Sequence, residues 1–133
     1  MTNTKGSVER RKHSRFRVPK DACVALRSDY LRFAQIERVS MDGLEFCYVA
    51  DNGPVGEPFE LDIFLAGGAF YLYKVPFKTL SDYEMGNDTP FPGLPVRRCG
   101  VQFGELTPNQ KNMLEYFIHN YTIREAYQEP NLH

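Results

Sequence analysis

Apolar and polar residues alternate along most of the chain, with the period of two that is typical of half-buried β-strands. A clear example is the segment with Leu61, Ile63 and Leu65, where Glu60 and Asp62 occupy the opposite face. Turn-forming steps such as Asp-Gly and Gly-Gly separate these segments. The pattern predicts six strands and a long loop over 81–95, with the strands at residues 22–27, 31–39, 44–49, 59–65, 70–80 and 96–103.

One helix is predicted after the last strand. Thr107 offers an N-cap hydroxyl, Pro108 suits the first helical position, and Gln110 stands where a capping box needs it. Apolar residues then recur at helical spacing and form a single stripe. We expect this stripe to pack on the sheet and to cover an open end or side of it. Its members are Met113, Leu114, Phe117, Ile118 and Tyr121.

Six short strands followed by one helix predict a mainly β fold, a small six-stranded antiparallel barrel with a C-terminal α-helix. A chain of 133 residues is long enough for one domain with one hydrophobic core. The predicted organisation is a flexible lead-in at residues 1–9, the barrel domain with its helix at 10–122, and a C-terminal tail at 123–133.

The formal net charge of −1 conceals a strongly basic segment near the N-terminus. Between Lys5 and Lys20 the chain has seven cations and one anion, Glu9, a net +6 that leaves −7 for the remainder. Such a segment indicates an anionic partner, although a solvated tail that aids solubility explains the charge equally well. The negative remainder disfavours an extended phosphate-binding surface, so we do not expect nucleic acid to be the partner.

Composition indicates a globular chain, because 42% of its residues are hydrophobic and 25% are charged. No apolar run approaches the roughly 20 residues of a membrane helix, so membrane insertion is not expected. The three cysteines, Cys23, Cys47 and Cys99, are an odd number without metal-type spacing. They predict free thiols in a reducing compartment, and hence a cytoplasmic protein.

Signatures of catalysis are missing from the sequence. It contains no GxxxxGK[ST] phosphate loop, no GxGxxG fingerprint and no GxSxG nucleophile elbow. The three histidines, His13, His119 and His133, stand far apart, and none has a cysteine or carboxylate at metal-ligand spacing. We therefore expect no enzyme activity, no metal site and no cofactor.

Two groups of residues indicate ligand binding instead. Arg11 and Arg15 share one side of the chain whether that segment is a helical turn or extended, so two guanidinium groups can converge on one ligand. Arginine forms bidentate hydrogen bonds with phosphate and with the O6/N7 edge of guanine. At the end of the second predicted strand, Ser40 offers a hydroxyl and Gly43 allows a backbone to approach closely.

The order of these motifs resembles the PilZ domain family over about residues 9–121. The matching features are RxxxR at Arg11 and Arg15, SMDG at residues 40–43, and CGVQF at residues 99–103 before the Thr-Pro-capped helix. The resemblance implies a six-stranded antiparallel barrel that binds cyclic di-GMP, a bacterial second messenger. It also implies a receptor rather than an enzyme.

The resemblance assigns roles to particular residues of this chain. Arg11 and Arg15 would bind phosphates and guanine edges of cyclic di-GMP, while Ser40 and Gly43 would hold a second part of the ligand. The adjacent Arg10 would be an auxiliary phosphate contact. No cofactor besides this ligand is implied.

One position departs from the family pattern: two residues before the serine, where the family has Asp or Asn, this chain has Arg38. A carboxylate or amide accepts hydrogen bonds from guanine, whereas a guanidinium has no acceptor. Losing such a partner in a desolvated pocket costs about 1–3 kcal/mol. Glu37 cannot replace it, because neighbouring residues of a strand face opposite sides. Arg38 either contacts a phosphate or a base of the ligand itself, or it marks a site that no longer binds.

The resemblance and its exception support two interpretations. The first is a bacterial cyclic di-GMP receptor or adaptor, in which the ligand orders the N-terminal segment and changes the surface that a protein partner binds. The second is a PilZ-fold protein-interaction module whose degenerate site binds the messenger weakly or not at all. Both allow a monomer or a homodimer, and the resemblance implies partners in motility or biofilm regulation.

Overall fold

The computed structural model describes residues 15–27, 31–50 and 60–124 of the chain. Residues 1–14, which include the predicted lead-in, and those beyond Arg124 lie outside these ranges, so the predicted domain boundaries stay a prediction. The described elements are β1 (Phe16–Arg17), β2 (Ala22–Arg27), β3 (Leu31–Val39), β4 (Gly43–Val49), β5 (Glu60–Leu65), β6 (Tyr71–Glu84), β7 (Val96–Phe103), α1 (Pro108–Tyr121) and β8 (Ile123–Arg124).

Six of these strands close into a barrel. Their order around it is β2-β5-β6-β7-β4-β3, and β3 pairs with β2 to complete the ring. Each of these neighbouring pairs is antiparallel. Closure pairs strands that would otherwise present free edges to other chains. The predicted fold class, a mainly β six-stranded antiparallel barrel with a C-terminal helix, is confirmed.

Apolar positions of the alternating pattern fill the interior of the barrel. Leu61 and Ile63 of β5 are fully buried, as their alternation predicts. The helix adds Leu114 and Phe117 to the same core, and the Phe117 ring centroid lies 5.0 Å from that of Phe70. Because burying each such side chain is worth about 1.5–3 kcal/mol, the apolar stripe is enough to hold α1 against the barrel.

The helix begins at the predicted capping box. Thr107 Oγ1 accepts a hydrogen bond from the Gln110 amide at 3.0 Å, and Gln110 Oε1 accepts one from the Thr107 amide at 3.0 Å. The side-chain amide of Gln110 also donates to the carbonyl groups of Tyr73 and Lys74 at 3.1 and 3.0 Å. One residue therefore both starts the helix and ties it to β6.

Two local features differ from the prediction. β6 continues to Glu84, inside the predicted loop, because residues 81–84 pair with residues 97–100 of β7. These residues are mostly polar, so an apolar pattern does not reveal the pairing. The two-residue strands β1 and β8 were not predicted either; β1 pairs with both β3 and β8. Two residues are too few to show any periodicity.

The remaining structural expectations concern the thiols, membranes and metals. All three cysteines are free thiols, as predicted. The described part of the chain contains no helix with the length and apolar character needed to cross a membrane. Within residues 15–27, 31–50 and 60–124, no three His, Cys, Asp or Glu side chains are grouped so that they could hold a metal ion.

Candidate functional site

A pocket opens on the outer surface of the barrel, where β6, β7, β4 and β3 run side by side. Its volume is about 410 Å³, which is within the range of small-molecule binding sites. The turn between β3 and β4 lines it on one side, and Arg15, which directly precedes β1, also lines it. The pocket therefore lies between the residue that precedes β1 and the outer faces of four neighbouring strands.

The turn from Ser40 to Gly43 is held by its own hydrogen bonds. The Ser40 amide donates to the Gly43 carbonyl at 2.9 Å, and the Ser40 hydroxyl oxygen accepts from the amides of Asp42 and Gly43 at 3.1 and 3.3 Å. Gly43 is required because a Cβ at this position would run into the carbonyl oxygen of Val101 on β7. Ser40 and Gly43 thus shape the loop that borders the pocket, independently of any ligand contact.

Arg38 and Glu45 face each other across β3 and β4 and both line the pocket. Arg38 Nη1 donates to Glu45 Oε1 at 3.0 Å, and 31% and 30% of the two side chains remain exposed. The neighbouring Glu37 lies at an irregularity of β3 and accepts a hydrogen bond from Arg98 at 2.6 Å. The carboxylate that accompanies Arg38 in the pocket is therefore Glu45 and not Glu37.

Gly100 of β7 leaves the floor of the pocket without a side chain. In the sheet it stands between Glu45 on one neighbouring strand and Ser81 on the other. A Cβ at Gly100 would lie 2.9 Å from Ser81 Oγ and 3.9 Å from Glu45 Cγ, so the open floor depends on glycine. A register shift in β6 beside Ser81 brings Leu80 to the pocket with 64% of its surface exposed.

Four of the six predicted site residues line this pocket: Arg15, Arg38, Ser40 and Gly43. The other two, Arg10 and Arg11, lie outside the described residues. Within the ranges that the structure describes, no carboxylate lies at ion-pair distance from Arg15. Direct contact between these residues and a ligand stays a prediction.

No local motif marks Glu45 or Ser81 as site residues, and Gly100 is marked only as part of CGVQF at residues 99–103. Glu45 is one polar position of an alternating strand, and Ser81 begins a segment predicted to be a loop. Their proximity depends on the register of β4, β7 and β6, which a local pattern does not specify. The available signal was the glycine inside β7, because a strand-interior glycine often marks close approach of a ligand or backbone.

Comparisons with known proteins identify the fold. No family model and no curated protein sequence matches the chain. Among solved structures, the PilZ domain of YcgR from Escherichia coli with cyclic di-GMP has a TM-score of 0.67 to this chain at 14% sequence identity. That match covers 84% of this chain and 91% of the YcgR domain. The chain has a PilZ-like fold.

Larger proteins contain a similar PilZ-like barrel. MrkH, described as a cyclic di-GMP-dependent transcription regulatory factor, matches with a TM-score of 0.64 at 14% identity over 83% of this chain and 50% of MrkH. The longer YcgR chain from Escherichia coli, in complex with cyclic di-GMP, matches with a TM-score of 0.61 at 13% identity over 83% of this chain and 45% of that one. At these identities the likeness is one of fold, and the chain spans about half the length of these two proteins.

Proposed function

We propose that this chain is a bacterial cyclic di-GMP receptor or adaptor that binds the dinucleotide in the pocket beside the turn at residues 40–43. The observation that carries the proposal is that Arg15 and Arg38 reach the same pocket as this turn. Cyclic di-GMP has two phosphates and two guanines, and guanidinium groups bind both phosphates and guanine edges. The fold supports the proposal, since YcgR and MrkH structures with this fold are complexes with that ligand.

The charges and shape of the pocket suit a flat anion. Arg15 has no carboxylate partner among the described residues, so its charge is available to a phosphate. The floor at Gly100 carries no side chain of its own, and the small Ser81 hydroxyl lies over it, so a purine ring can approach the strands closely there. The pocket thus offers a cation for a phosphate at one side and the small residues Gly100 and Ser81 for a base at the other.

The proposed signal is an ordering of the segment that precedes Arg15. β1 pairs with β3 at Val39 and Arg38, so the chain enters the barrel beside the pocket. Arg11 and Arg10 precede Arg15 by four and five residues. An extended chain spans up to about 3.5 Å per residue, so these two arginines are close enough in sequence to reach the same ligand as Arg15. Neutralising these arginines would hold the segment over the barrel and change the surface that a protein partner meets.

The proposed role is signalling without catalysis. Among the similar structures are a cyclic di-GMP-binding domain and a protein described as a transcription regulatory factor. The output would pass to an unidentified protein, with motility or biofilm regulation as the candidate process. We propose that the receptor acts in the cytoplasm as a monomer or homodimer.

Isothermal titration calorimetry with cyclic di-GMP tests the proposal. The wild-type protein is expected to bind cyclic di-GMP and not to bind GTP at the same concentration. Arg15→Ala should weaken binding about 10- to 100-fold, because a hydrogen bond to a charged group is worth about 1.5–3 kcal/mol. Lys111→Ala removes an exposed cation of α1, outside the pocket, and is the matched control. Absence of binding by the wild type, or equal affinity of Arg15→Ala, would contradict the proposal.

The Arg38–Glu45 pair favours a second candidate, a PilZ-fold protein-interaction module with a degenerate site. Arg38 stands in place of the family's acceptor, and Glu45 brings a negative charge into a pocket for phosphates. Arg38→Asn separates the candidates: a gain of tenfold or more in cyclic di-GMP affinity would indicate a degenerate wild-type site. Asn is preferable to Asp here, because an aspartate would stand directly opposite Glu45 and repel it.

A further inference from the structure

Recognition of guanine through its donor edge requires a hydrogen-bond acceptor in the pocket. One edge of guanine presents two adjacent donors, N1–H and the N2 amino group, and a carboxylate can accept from both. Among the base edges of DNA, the N2 amino donor is specific to guanine. Arg38 cannot accept a hydrogen bond. Glu45 is the carboxylate that the pairing of β3 with β4 places beside Arg38 in the pocket.

We propose that Glu45 recognises a guanine base of the ligand and that Arg38 is its positioning residue. The inference rests on the proposed function. The bond from Arg38 Nη1 to Glu45 Oε1, at 3.0 Å, holds the carboxylate in one orientation. A carboxylate has about four acceptor positions, and this bond uses one of them. In the part of the chain that the structure describes, no other side chain or amide donates to Glu45, so acceptor positions remain for a base.

The pocket continues from Glu45 across the sheet, on the side away from Arg38. The next residue across the sheet is Gly100, and the one after it is the small Ser81. A Cβ on Gly100 would lie 3.9 Å from Glu45 Cγ, within van der Waals contact. With no side chain at Gly100, the small Ser81 hydroxyl is the group that lies over the strand next to the carboxylate, and we place the flat base beside it with its donor edge toward Glu45.

Pairing with Arg38 also makes a carboxylate compatible with an anionic ligand. An arginine–glutamate pair is neutral overall, so it repels a phosphate far less than a lone carboxylate would. In this proposal Arg38 acts through Glu45 and not by direct contact with a phosphate or a base, and Arg15 is the arginine of the pocket that meets a phosphate. Asp42 is the other carboxylate that lines the pocket. It belongs to the turn, where its amide donates to Ser40 and its carbonyl accepts from Phe103, and it is the matched control.

The test compares cyclic di-GMP with cyclic di-IMP, which lacks only the N2 amino groups. Calorimetry on the full chain is expected to show wild type binding cyclic di-GMP at least about tenfold more tightly than cyclic di-IMP. Glu45→Ala should bring this ratio close to one, while Asp42→Asn should leave it unchanged. Arg38→Ala should lower the ratio in part, and Arg38→Lys should restore it in part, because lysine can still hold Glu45.

The outcomes separate the two proposals. Absence of cyclic di-GMP binding by wild type would overturn the proposed function and this inference with it. Binding with a ratio that Glu45→Ala leaves unchanged, or that Asp42→Asn abolishes, would overturn the inference alone. Glu45→Val, whose β-branched side chain suits a strand, repeats the test in case alanine disturbs the sheet. Thermal unfolding of each variant shows that the fold is retained.

Discussion

Two of the arginine–carboxylate pairs on the barrel, Arg27–Asp62 and Arg38–Glu45, differ in how many of the carboxylate's acceptor positions are used. Asp62 is fully buried and accepts four hydrogen bonds at 2.7–2.8 Å, two from Arg27, one from the Tyr71 hydroxyl and one from a backbone amide. Glu45 accepts one hydrogen bond, from Arg38, among the described donors, and its side chain is partly exposed. We call the Asp62 pair saturated, because hydrogen bonds use about all four acceptor positions of its carboxylate, and the Glu45 pair unsaturated, because most of its acceptor positions are free.

The saturated pair stabilises the fold, and the unsaturated pair leaves capacity for a ligand. Four donors compensate the burial of Asp62, and its bond to Tyr71 orients a row of aromatic rings. In that row the Tyr71 ring stacks on the Phe64 ring, with 5.3 Å between the ring centroids, and its centroid lies 4.5 Å from that of Tyr73. Glu45 instead borders the floor of the pocket at Gly100. Both carboxylates pair with an arginine, so the number of donors and the free space around each one decide whether it stabilises the fold or can bind a ligand.

The largest expected effect is on stability, at the saturated pair. Asp62→Ala should lower the free energy of unfolding by about 3–5 kcal/mol, because it leaves buried donors without an acceptor. Glu45→Ala should lower it by less than about 1 kcal/mol, since its pair is partly exposed. Urea unfolding of both variants measures the difference. Equal decreases in the free energy of unfolding for the two variants would contradict the distinction between the two pairs.

The second contrast is between a glycine that the fold needs and one that the pocket needs. Gly43→Ala should cost about 2 kcal/mol or more, because the new methyl group collides with the Val101 carbonyl oxygen. At Gly100 the nearest atom is the Ser81 hydroxyl, at 2.9 Å, which can rotate away. Gly100→Ala should therefore cost less than about 1 kcal/mol in stability but weaken cyclic di-GMP binding about tenfold. Thermal unfolding and calorimetry measure the two effects, and a reversed order would contradict this assignment.

A smaller effect is expected from one hydroxyl of the saturated pair. Tyr71→Phe removes the hydrogen bond to Asp62 and keeps the ring, so it should lower the free energy of unfolding by about 1 kcal/mol. Tyr73→Phe, in the adjacent ring without a bond to Asp62, should change it by less than about 0.5 kcal/mol. Chemical unfolding of both variants is the measurement, and indistinguishable values would show that the hydroxyl adds nothing.

The smallest expected effect is the pH dependence that Asp62 contributes. Burial raises the pKa of this carboxyl, but hydrogen bonds from Arg27, the Lys74 amide and Tyr71 outweigh it and hold the pKa below its usual range. The associated stability is present in full above the unfolded-state pKa of about 3.9 and is lost as the pH falls through the lower folded-state value. Between pH 7 and pH 3, the free energy of unfolding should therefore fall less steeply for Asp62→Asn than for wild type. An equal pH dependence of the free energy of unfolding in the two proteins would contradict the lowered pKa of Asp62.

Most of the fold was predictable because its signals are local. Strand alternation placed Leu61 and Ile63 in the core and Asp62 on the other face, and the capping box at Thr107 marked the start of the helix. The extension of β6 to Glu84 was not predictable, because those residues owe their strand conformation to pairing with β7. Local alternation reveals a strand only where one of its faces is apolar.

The candidate site was predictable only in part. Arg15, Ser40 and Gly43 stand in short motifs, and the structure places all three at one pocket. Glu45 was not singled out, because nothing within β4 indicates that Arg38 lies opposite and Gly100 lies beside it. Those neighbours depend on which strands pair and in what register.

The alternation of the strands, the start of the helix and the short motifs can be read from local sequence, since each depends on neighbours a few positions away. Which carboxylate has all its acceptor positions filled and which has free ones depends instead on how distant strands pair. Arg27 and Asp62 are 35 positions apart, and the burial of Asp62 is tolerated because two other strands supply donors to it. The closed barrel sets those distances, and the burial and hydrogen bonding of an ionised group depend on them.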